Sequence, residues 1–324
     1  MAKLIEVKNL KKYFDTAAGV VHAVDDVTFS IEEGRTMGVV GESGCGKSTL
    51  GRTLVRLIDS TDGHVYFQGE DVTLAGGQEL ARLRENMQFI FQDPYSSLNP
   101  RMTVSKLIAE PIIQNKILTK KADIEKRVEE LMETVGLAQR LVNTFPHELD
   151  GGRRQRICIA RALAMNPKFI VCDEPVSALD VSIQAQILNL LKKLQRELGL
   201  TYIFITHDLS VVNHFSDDIA VMYLGQIIEK APTEELFAHP LHPYTQALLS
   251  AIPIPDVDIK EKRILLKGEI SSPINPPDEC RFAKRCMYAC EDCHKKTPEL
   301  VEVSAGHFVA CPYYATIEQK QRLE

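Results

Sequence analysis

Glycine, lysine and hydroxyl residues near the start of the chain have the spacing of a phosphate-binding loop. The segment reads Gly41-Glu42-Ser43-Gly44-Cys45-Gly46-Lys47-Ser48-Thr49 and fits the pattern G-x-x-x-x-G-K-S/T. Glycines let the backbone turn its N–H groups toward a phosphate, and the N-terminus of a following helix adds partial positive charge. We expect Lys47 to reach the β- and γ-phosphates of a nucleotide and the Ser48 hydroxyl to bind Mg²⁺. A glycine-rich turn that matches by chance is the alternative.

Two carboxylates follow an apolar run later in the chain, at Asp173 and Glu174. At the end of a buried strand, Asp173 can hold Mg²⁺ through its water shell, and Glu174 can polarise a water for attack on a γ-phosphate. Two acids at a strand end also occur as an ordinary solvated terminus. In a chain with a phosphate loop, the catalytic interpretation is favoured.

Two more polar residues end predicted strands. Gln92 can ligate Mg²⁺ or orient a water where a strand gives way to a loop, and His207 can contact a γ-phosphate. Taken alone, each is more typical of loop polarity or of a structural histidine. Phe14, or alternatively Tyr13, offers an aromatic face for a nucleotide base, although packing in the core would use the same residues.

A pair of glycines marks a second possible anion site. Asp150 is a good N-cap, and Gly151 and Gly152 expose backbone N–H groups at the start of a predicted helix. A capped surface helix is the simpler alternative.

The predicted elements around these residues are buried strands and amphipathic helices. Strands are predicted at Leu4–Val7, Val27–Ile31, Met37–Val40, Val65–Phe67, Met87–Phe91, Lys168–Cys172 and Thr201–Thr206, with Lys11–Phe14 at a turn between the first two. Helices are predicted at Leu50–Ile58, Ile157–Ala164 and Ile183–Leu198, the last one stopped by Gly199. From Thr103 to about Leu141 the composition is helical, and one apolar face is formed by Ile124, Val128, Leu131 and Val135.

The length and composition indicate a globular protein of about two domains, or one domain with an appendage. The 324 residues are 44% hydrophobic and 25% charged. No apolar run approaches the roughly 20 residues that span a bilayer, and the first residues lack the apolar core of a signal peptide, so we expect a cytosolic protein. A net charge of −6 gives no support to a nucleic-acid partner.

The eight cysteines are distributed unevenly, and five of them lie near the end of the chain, at Cys280, Cys286, Cys290, Cys293 and Cys311. Without a signal peptide, such a cluster is more typical of metal binding than of a disulfide framework. Thiolates suit both iron–sulfur clusters and zinc.

In their order and separations, these motifs resemble those of the ATP-binding cassette (ABC) ATPases over roughly residues 4 to 230. Phe91–Pro100, His239–Leu249 and the terminal cysteines resemble the ATPase subunits of dipeptide and oligopeptide importers, a pattern shared with importers of nickel and other small solutes. The resemblance implies an α/β P-loop NTPase (RecA-like) fold with an inserted helical subdomain and a small irregular cysteine-rich appendage. We expect an ATPase domain over 1–250, with its helical subdomain at about 95–156, and a C-terminal extension over 251–324.

The resemblance also implies the roles of the site residues. Glu174 would be the general base, His207 would sense the γ-phosphate, and Gln92 would carry the signal toward membrane subunits. The residues expected to contact ATP or Mg²⁺ are Tyr13, Phe14, Ser43, Gly44, Cys45, Gly46, Lys47, Ser48, Thr49, Gln92, Gly151, Gly152, Asp173 and Asp180. Such proteins work as pairs at the cytoplasmic face of the cell membrane, with two permease subunits and, indirectly, a substrate-binding protein.

Four of the terminal cysteines match the ligands of a [4Fe–4S] cluster in this group: Cys280, Cys286, Cys293 and Cys311. Zinc is the alternative metal. Cys290 fits the spacing less well and is interpreted as a spare thiol, and neither His294 nor His307 is needed as a ligand. We expect the cluster to be a structural clip rather than a redox sensor.

The chain departs from the family at its signature, which normally reads Leu-Ser-Gly-Gly-Gln and here reads Leu149-Asp150-Gly151-Gly152-Arg153. An ionised Asp150 cannot donate a hydrogen bond to a γ-phosphate and adds a like charge, which Arg153 or Arg154 would soften. The hypothesis is that this signature weakens one ATP site of a heteromeric pair. A weakly active regulatory subunit is the alternative, whereas a soluble ABC protein acting on DNA or ribosomes would need a second cassette, a coiled-coil insertion or basic extensions.

Overall fold

The structure is a computed structural model that describes residues 2–252, 263–266, 268 and 271–321. Two compact units are present. The first consists mainly of Leu74–Ile205, and the second contains Lys3–Ile31, Thr36–Thr73 and the described residues from Thr206 onward. The segment 253–262, which belongs to the expected extension over 251–324, lies outside the described residues.

Strands and helices alternate along much of the chain. The strands are β1 (Lys3–Thr16), β2 (Gly19–Glu32), β3 (Thr36–Val40), β4 (Asp62–Phe67), β5 (Glu70–Asp71), β6 (Met87–Ile90), β7 (Phe169–Asp173), β8 (Thr201–Ile205), β9 (Asp218–Tyr223), β10 (Gln226–Pro232), β11 (Val301–Ser304) and β12 (His307–Val309). The helices are α1 (Lys47–Leu54), α2 (Gly77–Asn86), α3 (Pro94–Ser97), α4 (Val104–Gln114), α5 (Lys121–Thr134), α6 (Gly151–Leu163), α7 (Val181–Leu198), α8 (Leu209–Phe215), α9 (Thr233–Ala238), α10 (Pro243–Leu249) and α11 (Tyr314–Gln321).

Parallel strands form the centre of the first unit. Strand β7 pairs with β6 on one side and with β8 on the other, both in parallel. Every residue of β7 and β8 is buried, which explains why these segments are continuous apolar runs rather than alternating ones. The carboxyl ends of these strands therefore meet at one edge, where Gln92 and Glu174 follow.

Helices α3 to α6 pack together in the same unit. The predicted helical stretch divides into α4 and α5, and Val128, Leu131 and Val135 form the buried face of α5 and its C-terminal cap as expected. Gly199 ends α7 in the left-handed conformation (φ 65°), which confirms the predicted stop.

An antiparallel sheet in the order β2-β1-β4-β5 belongs to the second unit. The prediction of a turn at Lys11–Phe14 was wrong, because these residues continue β1 to Thr16. Pairing with β4 explains the longer strand, since its register reaches Lys11 opposite Asp62. The reversal instead lies between Thr16 and Gly19, where the Thr16 hydroxyl donates to the Gly19 carbonyl at 2.7 Å.

The C-terminal extension is more regular than expected. In the second unit, β3 pairs in parallel with β9, β9 pairs with β10, β10 pairs with β12, and β12 pairs with β11. The extension thus adds a hairpin to the sheet that contains β3, and α11 follows it. Local apolar periodicity does not reveal this hairpin, since the residues of β10 that pair with it, Glu229 with Val309 and Lys230 with Phe308, lie 80 and 78 positions earlier in the chain. Among the described residues, no helix is both long and apolar enough to cross a membrane.

Candidate functional site

The phosphate loop connects β3 to α1, as its sequence predicts. Gly46 has φ 105°, and a Cβ built on it would lie 2.0 Å from the carbonyl oxygen of Ala23, so only glycine fits. Ser43 and Gly44 are exposed, whereas Ser48 and Thr49 are partly buried in the first turn of α1. The loop therefore presents an accessible turn at a helix N-terminus, which is an arrangement that binds anions.

Lys47 is held beneath this loop rather than in solvent. Its ammonium group donates to the carbonyl oxygens of Gly41 at 2.8 Å and Glu42 at 3.0 Å. The adjacent Cys45 side chain is buried, and burial raises the pKa of its thiol. Cys45 is therefore a packing residue of the loop, and Lys47 is the cation that the loop holds in place.

Gln92 and Glu174 meet in the first unit. Gln92 Nε2 donates to Glu174 Oε2 at 2.9 Å, across the ends of β6 and β7. The backbone of Glu174 has φ 45°, an uncommon value for a non-glycine residue, and its N–H donates to the Ile205 carbonyl at 2.9 Å. Asp173 precedes it as the last, fully buried residue of β7. The structure thus places the predicted base and the predicted strand-end amide in direct contact.

Asp150 caps α6, as predicted. Its Oδ1 accepts a hydrogen bond from the Arg153 N–H at 2.8 Å, and its Oδ2 lies 3.4 Å from Arg153 Nη1. Gly152 is buried, and a Cβ there would lie 2.6 Å from Ile183 Cγ2. Of the two arginines considered, Arg153 pairs with Asp150, whereas Arg154 donates to the Pro146 carbonyl at 2.8 Å.

The two aromatic candidates have different surroundings in the second unit. The Tyr13 ring stacks on His22 at 4.0 Å between centroids, and its hydroxyl donates to Asp25. Phe14 is 39% exposed, and the Lys12 ammonium lies 4.7 Å from its ring centroid. One face of Tyr13 is therefore already covered, so Phe14 has more surface available for a base.

The other two predicted site residues lie on exposed turns. His207 lies in the connection between β8 and α8, next to the N-cap Asp208, and Asp180 precedes α7 as its N-cap. The Asp180 carbonyl accepts from the Gln184 N–H at 2.8 Å. Both side chains are accessible to a ligand or to another chain.

The cysteine-rich segment surrounds a cavity of about 320 Å³ in the second unit. All four predicted ligands line it: Cys280, Cys286, Cys293 and Cys311. Cys290 lies outside this lining and is exposed, with its sulfur 3.6 Å from that of Cys293. Within the described ranges, no three histidine, cysteine or acidic side chains converge closely enough to hold one metal ion.

Burial affects the protonation of these thiols. It raises the pKa of Cys280 to about 12 and that of Cys311 to about 11. Both therefore remain protonated thiols at neutral pH unless a bound cation displaces the proton.

Several residues around the phosphate loop were missed by the sequence analysis. Arg285 binds Glu42 through two hydrogen bonds, and the Tyr244 hydroxyl accepts from the Glu42 N–H. Arg281 binds Asp25 and the Leu224 carbonyl. Arg285 and Glu42 are 243 positions apart, so no local pattern signals their contact.

Comparisons with known proteins identify the family to which this fold belongs. The ABC transporter family model matches residues 24–177, and the model of the oligopeptide/dipeptide transporter C-terminal region matches residues 228–293. A solved dimeric structure of the ATP-binding cassette MJ0796, in a post-hydrolysis state with ADP and Pi, is 32% identical. It has a TM-score of 0.65 and covers 71% of this chain and 98% of that one.

Curated relatives match nearly the whole chain. The putative oligopeptide transport ATP-binding protein YkfD of Bacillus subtilis is 54% identical over 99% of this chain and 98% of its own length. The oligopeptide transport ATP-binding protein OppF of the same organism is 52% identical over 95% of this chain and 96% of its own length. The fold and site define an ABC ATPase, which uses ATP with Mg²⁺. Within the ABC transporter family, the chain belongs to the ATP-binding proteins that carry the oligopeptide/dipeptide C-terminal region.

Proposed function

We propose that this chain is the ATP-hydrolysing subunit of an importer for di- and oligopeptides, bound to permease subunits at the cytoplasmic face of the membrane. The contact between Gln92 and Glu174 carries the proposal of hydrolysis, because it joins a carboxylate suited to general base catalysis to an amide in a loop that can respond to partners. The peptide cargo is supported by the names of the relatives and by the matched C-terminal region.

The proposed mechanism divides the work among the motifs. Lys47 and the loop N–H groups would bind the β- and γ-phosphates, and Ser48, Gln92 and Asp173 would hold Mg²⁺, which would neutralise charge on those phosphates. Glu174 accepts a proton from the attacking water, and His207 contacts the γ-phosphate. Gly151 and Gly152 would cover the ATP bound to a second ATPase subunit, and Phe14 would stack on the adenine.

Substitution of Glu174 by glutamine tests the hydrolytic role. In the complex reconstituted with its permease and second ATPase subunit, Glu174→Gln is expected to lower ATP turnover by at least about 10²-fold, because the general base is lost. Equilibrium binding of ATP should remain. Glu197→Gln, an exposed carboxylate of α7 that pairs with Lys193 at 3.9 Å, is the matched control. Turnover that survives in Glu174→Gln would exclude this residue as the base.

Uptake assays with vesicles that contain the reconstituted complex test which solute is transported. Labelled di- and oligopeptides should accumulate only with ATP and the substrate-binding protein. Transport of nickel without transport of peptides would leave the proposed ATPase activity intact and would reject peptides as the cargo. The second ATPase subunit is proposed to be a different chain, because the signature carries Asp150 where a serine hydroxyl would bind the γ-phosphate.

We further propose that the cysteine cavity holds a [4Fe–4S] cluster. Four thiols line one cavity that is larger than a single ion, whereas zinc would require four sulfurs at about 2.3 Å from one point. A bound cluster would cross-link the four cysteine positions, consistent with a structural clip. Anaerobic purification with iron, sulfide and zinc analysis is expected to give about four irons and four sulfides per chain. Stoichiometric zinc without iron would reject the iron–sulfur cluster and indicate a zinc site.

We propose an ATPase domain over 1–250, with a helical subdomain at about 95–156, followed by the extension over 251–324. The separate matches at 24–177 and 228–293 support a division between the cassette and its C-terminal region.

A further inference from the structure

Glu42, in the phosphate loop, is held at three points. Its carboxylate accepts hydrogen bonds from Arg285 Nη1 at 2.7 Å and Nη2 at 3.0 Å. Its N–H donates to the Tyr244 hydroxyl at 3.0 Å, and its carbonyl accepts from the Lys47 ammonium at 3.0 Å. The residue that supports Lys47 is therefore itself fixed by two residues from the C-terminal third of the chain.

Arg285 is well placed to fix a carboxylate. It lies in a 3₁₀ turn (Ala283–Arg285) beside Cys286 and is only 9% exposed. Its planar guanidinium matches the two carboxylate oxygens of Glu42, a geometry that a lysine cannot reproduce. Nη1 also lies 3.4 Å from the Tyr223 hydroxyl. Because the pair is largely screened from water, its geometry is well defined and its loss is costly.

An aromatic cluster keeps this turn next to the loop. Phe282 contacts Tyr223 and Tyr244 edge-on, with ring centroids 5.3 and 5.4 Å apart, and Tyr223 and Tyr244 are 4.8 Å apart. All three rings are buried. The cluster joins the cysteine-rich segment to the His239–Leu249 segment, which supplies Tyr244.

The charge of Glu42 affects nucleotide binding, and Arg285 neutralises that charge. A carboxylate in a phosphate-binding loop repels the negatively charged phosphates unless a cation neutralises it. Arg285 neutralises Glu42 and binds both of its oxygens. Without Arg285, the carboxylate would be unpaired beside the phosphates, and the carbonyl that supports Lys47 would lose its anchor.

We propose that Arg285 is a positioning residue for the phosphate loop, through which the C-terminal extension sets the affinity for ATP. This inference rests on ATP binding at the loop, as in the proposed function. It assigns the extension a part in nucleotide binding, in addition to the structural role of its cysteines. Arg285 acts through Glu42 and Lys47 and is not expected to touch the nucleotide.

Equilibrium binding of Mg-ATP to the purified full-length chain tests this inference. Arg285→Gln is expected to weaken binding by about tenfold or more, a typical coupling between two sites. The double variant Glu42→Gln/Arg285→Gln should recover part of the affinity, because it removes the stray charge but does not restore the anchor of the Glu42 carbonyl. Arg285→Lys should fall between wild type and Arg285→Gln, since lysine binds at one point. Lys284→Gln, which removes the charge of an exposed neighbour that pairs with Glu279, should bind ATP like wild type.

Urea unfolding of the same samples separates a local effect from a loss of the fold. A folded Arg285→Gln protein with wild-type affinity would overturn the inference, as would a double variant no better than the single one. If Arg285→Gln does not fold, Arg285→Lys decides, because wild-type affinity in that protein would exclude the bidentate contact as the cause. Failure of the wild type itself to bind Mg-ATP would instead count against the proposed function.

Discussion

Asp150 combines a structural contact with an unfavourable charge. Its carboxylate caps α6 through the Arg153 N–H, and its side chain is 59% exposed. Two charges about 4 Å apart interact by roughly 1 kcal/mol in bulk water and by more where water is excluded. Roughly 1 kcal/mol is therefore the lower bound of the penalty that this signature imposes once a second subunit covers it.

Replacement of Asp150 by serine should raise activity at the site that this signature completes. Serine keeps the N-cap and supplies a hydroxyl donor, so we expect turnover of the reconstituted transporter to rise by about fivefold, the equivalent of roughly 1 kcal/mol. Asp150→Ala removes the charge without a donor and loses the cap, at about 1 kcal/mol of stability, and serves as the comparison. Unchanged or lower turnover in Asp150→Ser would reject the hypothesis of a weakened site.

Single residues could be predicted from the sequence where a motif is contiguous. Lys47 and Asp150 lie in short patterns whose backbone roles follow from local chemistry, and the structure places Lys47 at the start of α1 and Asp150 at the N-cap of α6. The contact of Gln92 with Glu174 was not predicted, because the two residues follow different strands and lie 82 positions apart in the chain. The role of Arg285 could not be predicted, because it depends on contact with Glu42, which lies 243 positions earlier in the chain.

The hairpin of β11 and β12 is joined to β10 by a buried ion pair. His307 Nε2 lies 2.8 Å from Glu229 Oε1, and the two side chains are 1% and 0% exposed. Glu229 also accepts from the N–H groups of Leu241 at 2.7 Å and His242 at 2.9 Å. The carboxylate therefore ties the extension to the segment before α10.

Protonation of His307 should make this junction pH-dependent. Burial alone would lower the pKa of His307, but the hydrogen bonds and charges of Glu229 and Glu235 outweigh it and raise that pKa above 6.5. A raised folded-state pKa gives stability that is complete below pH 6.5 and is lost as the pH rises through the folded value. His242 faces the same carboxylate, but burial lowers its pKa to about 4, so it stays neutral in this range.

Substitution of His307 by glutamine should remove that dependence. We expect His307→Gln to cost about 1–3 kcal/mol at pH 6 and progressively less at higher pH, measured by urea unfolding from pH 6 to 9. His64→Gln is the control, since His64 is exposed and pairs with Asp71 at 2.8 Å, away from Glu229 and Glu235. Parallel stability curves for wild type and His307→Gln would contradict a charged pair.

Strands could be predicted where their own residues determine the structure. They were predicted poorly where the structure depends on pairing with a strand that is distant in the sequence. Strands β3, β7 and β8 were found because burial on both faces makes them continuous apolar runs. Strand β1 was predicted too short, since its second half is polar and depends on pairing with β4. The hairpin of β11 and β12 was missed for the same reason, because it depends on β10.

At the scale of the whole molecule, the cysteine cavity and the phosphate loop are parts of one compact unit, connected by consecutive residues. Arg285 binds Glu42, and the next residue, Cys286, lines the cavity, with its N–H donating to the Phe282 carbonyl at 3.0 Å. Occupation of the cavity and binding of ATP should therefore influence each other, and thermodynamic linkage requires the influence to be reciprocal.

Replacement of one of the cysteines proposed as ligands should accordingly weaken ATP binding. We expect Cys286→Ser to lower the metal content and to reduce the affinity for Mg-ATP by about fivefold or more, because the turn that holds Arg285 loses its support. Cys290→Ser, which changes the exposed thiol outside the cavity lining, should bind metal and ATP like wild type. Wild-type ATP affinity in a metal-free Cys286→Ser protein would show that the cysteine cavity does not influence ATP binding at the phosphate loop.

The double variant Cys286→Ser/Arg285→Gln identifies the route of this influence. If Cys286 acts on the loop through Arg285, the second substitution removes a contact that the first has already loosened, so the two losses of ATP affinity should be less than additive. Additive losses would mean that the cavity acts on the nucleotide by another path. The interaction free energy is calculated from the Mg-ATP affinities of the wild type, the two single variants and the double variant. A value different from zero means that Cys286 and Arg285 affect the loop through the same contact, and a value near zero means that they act independently.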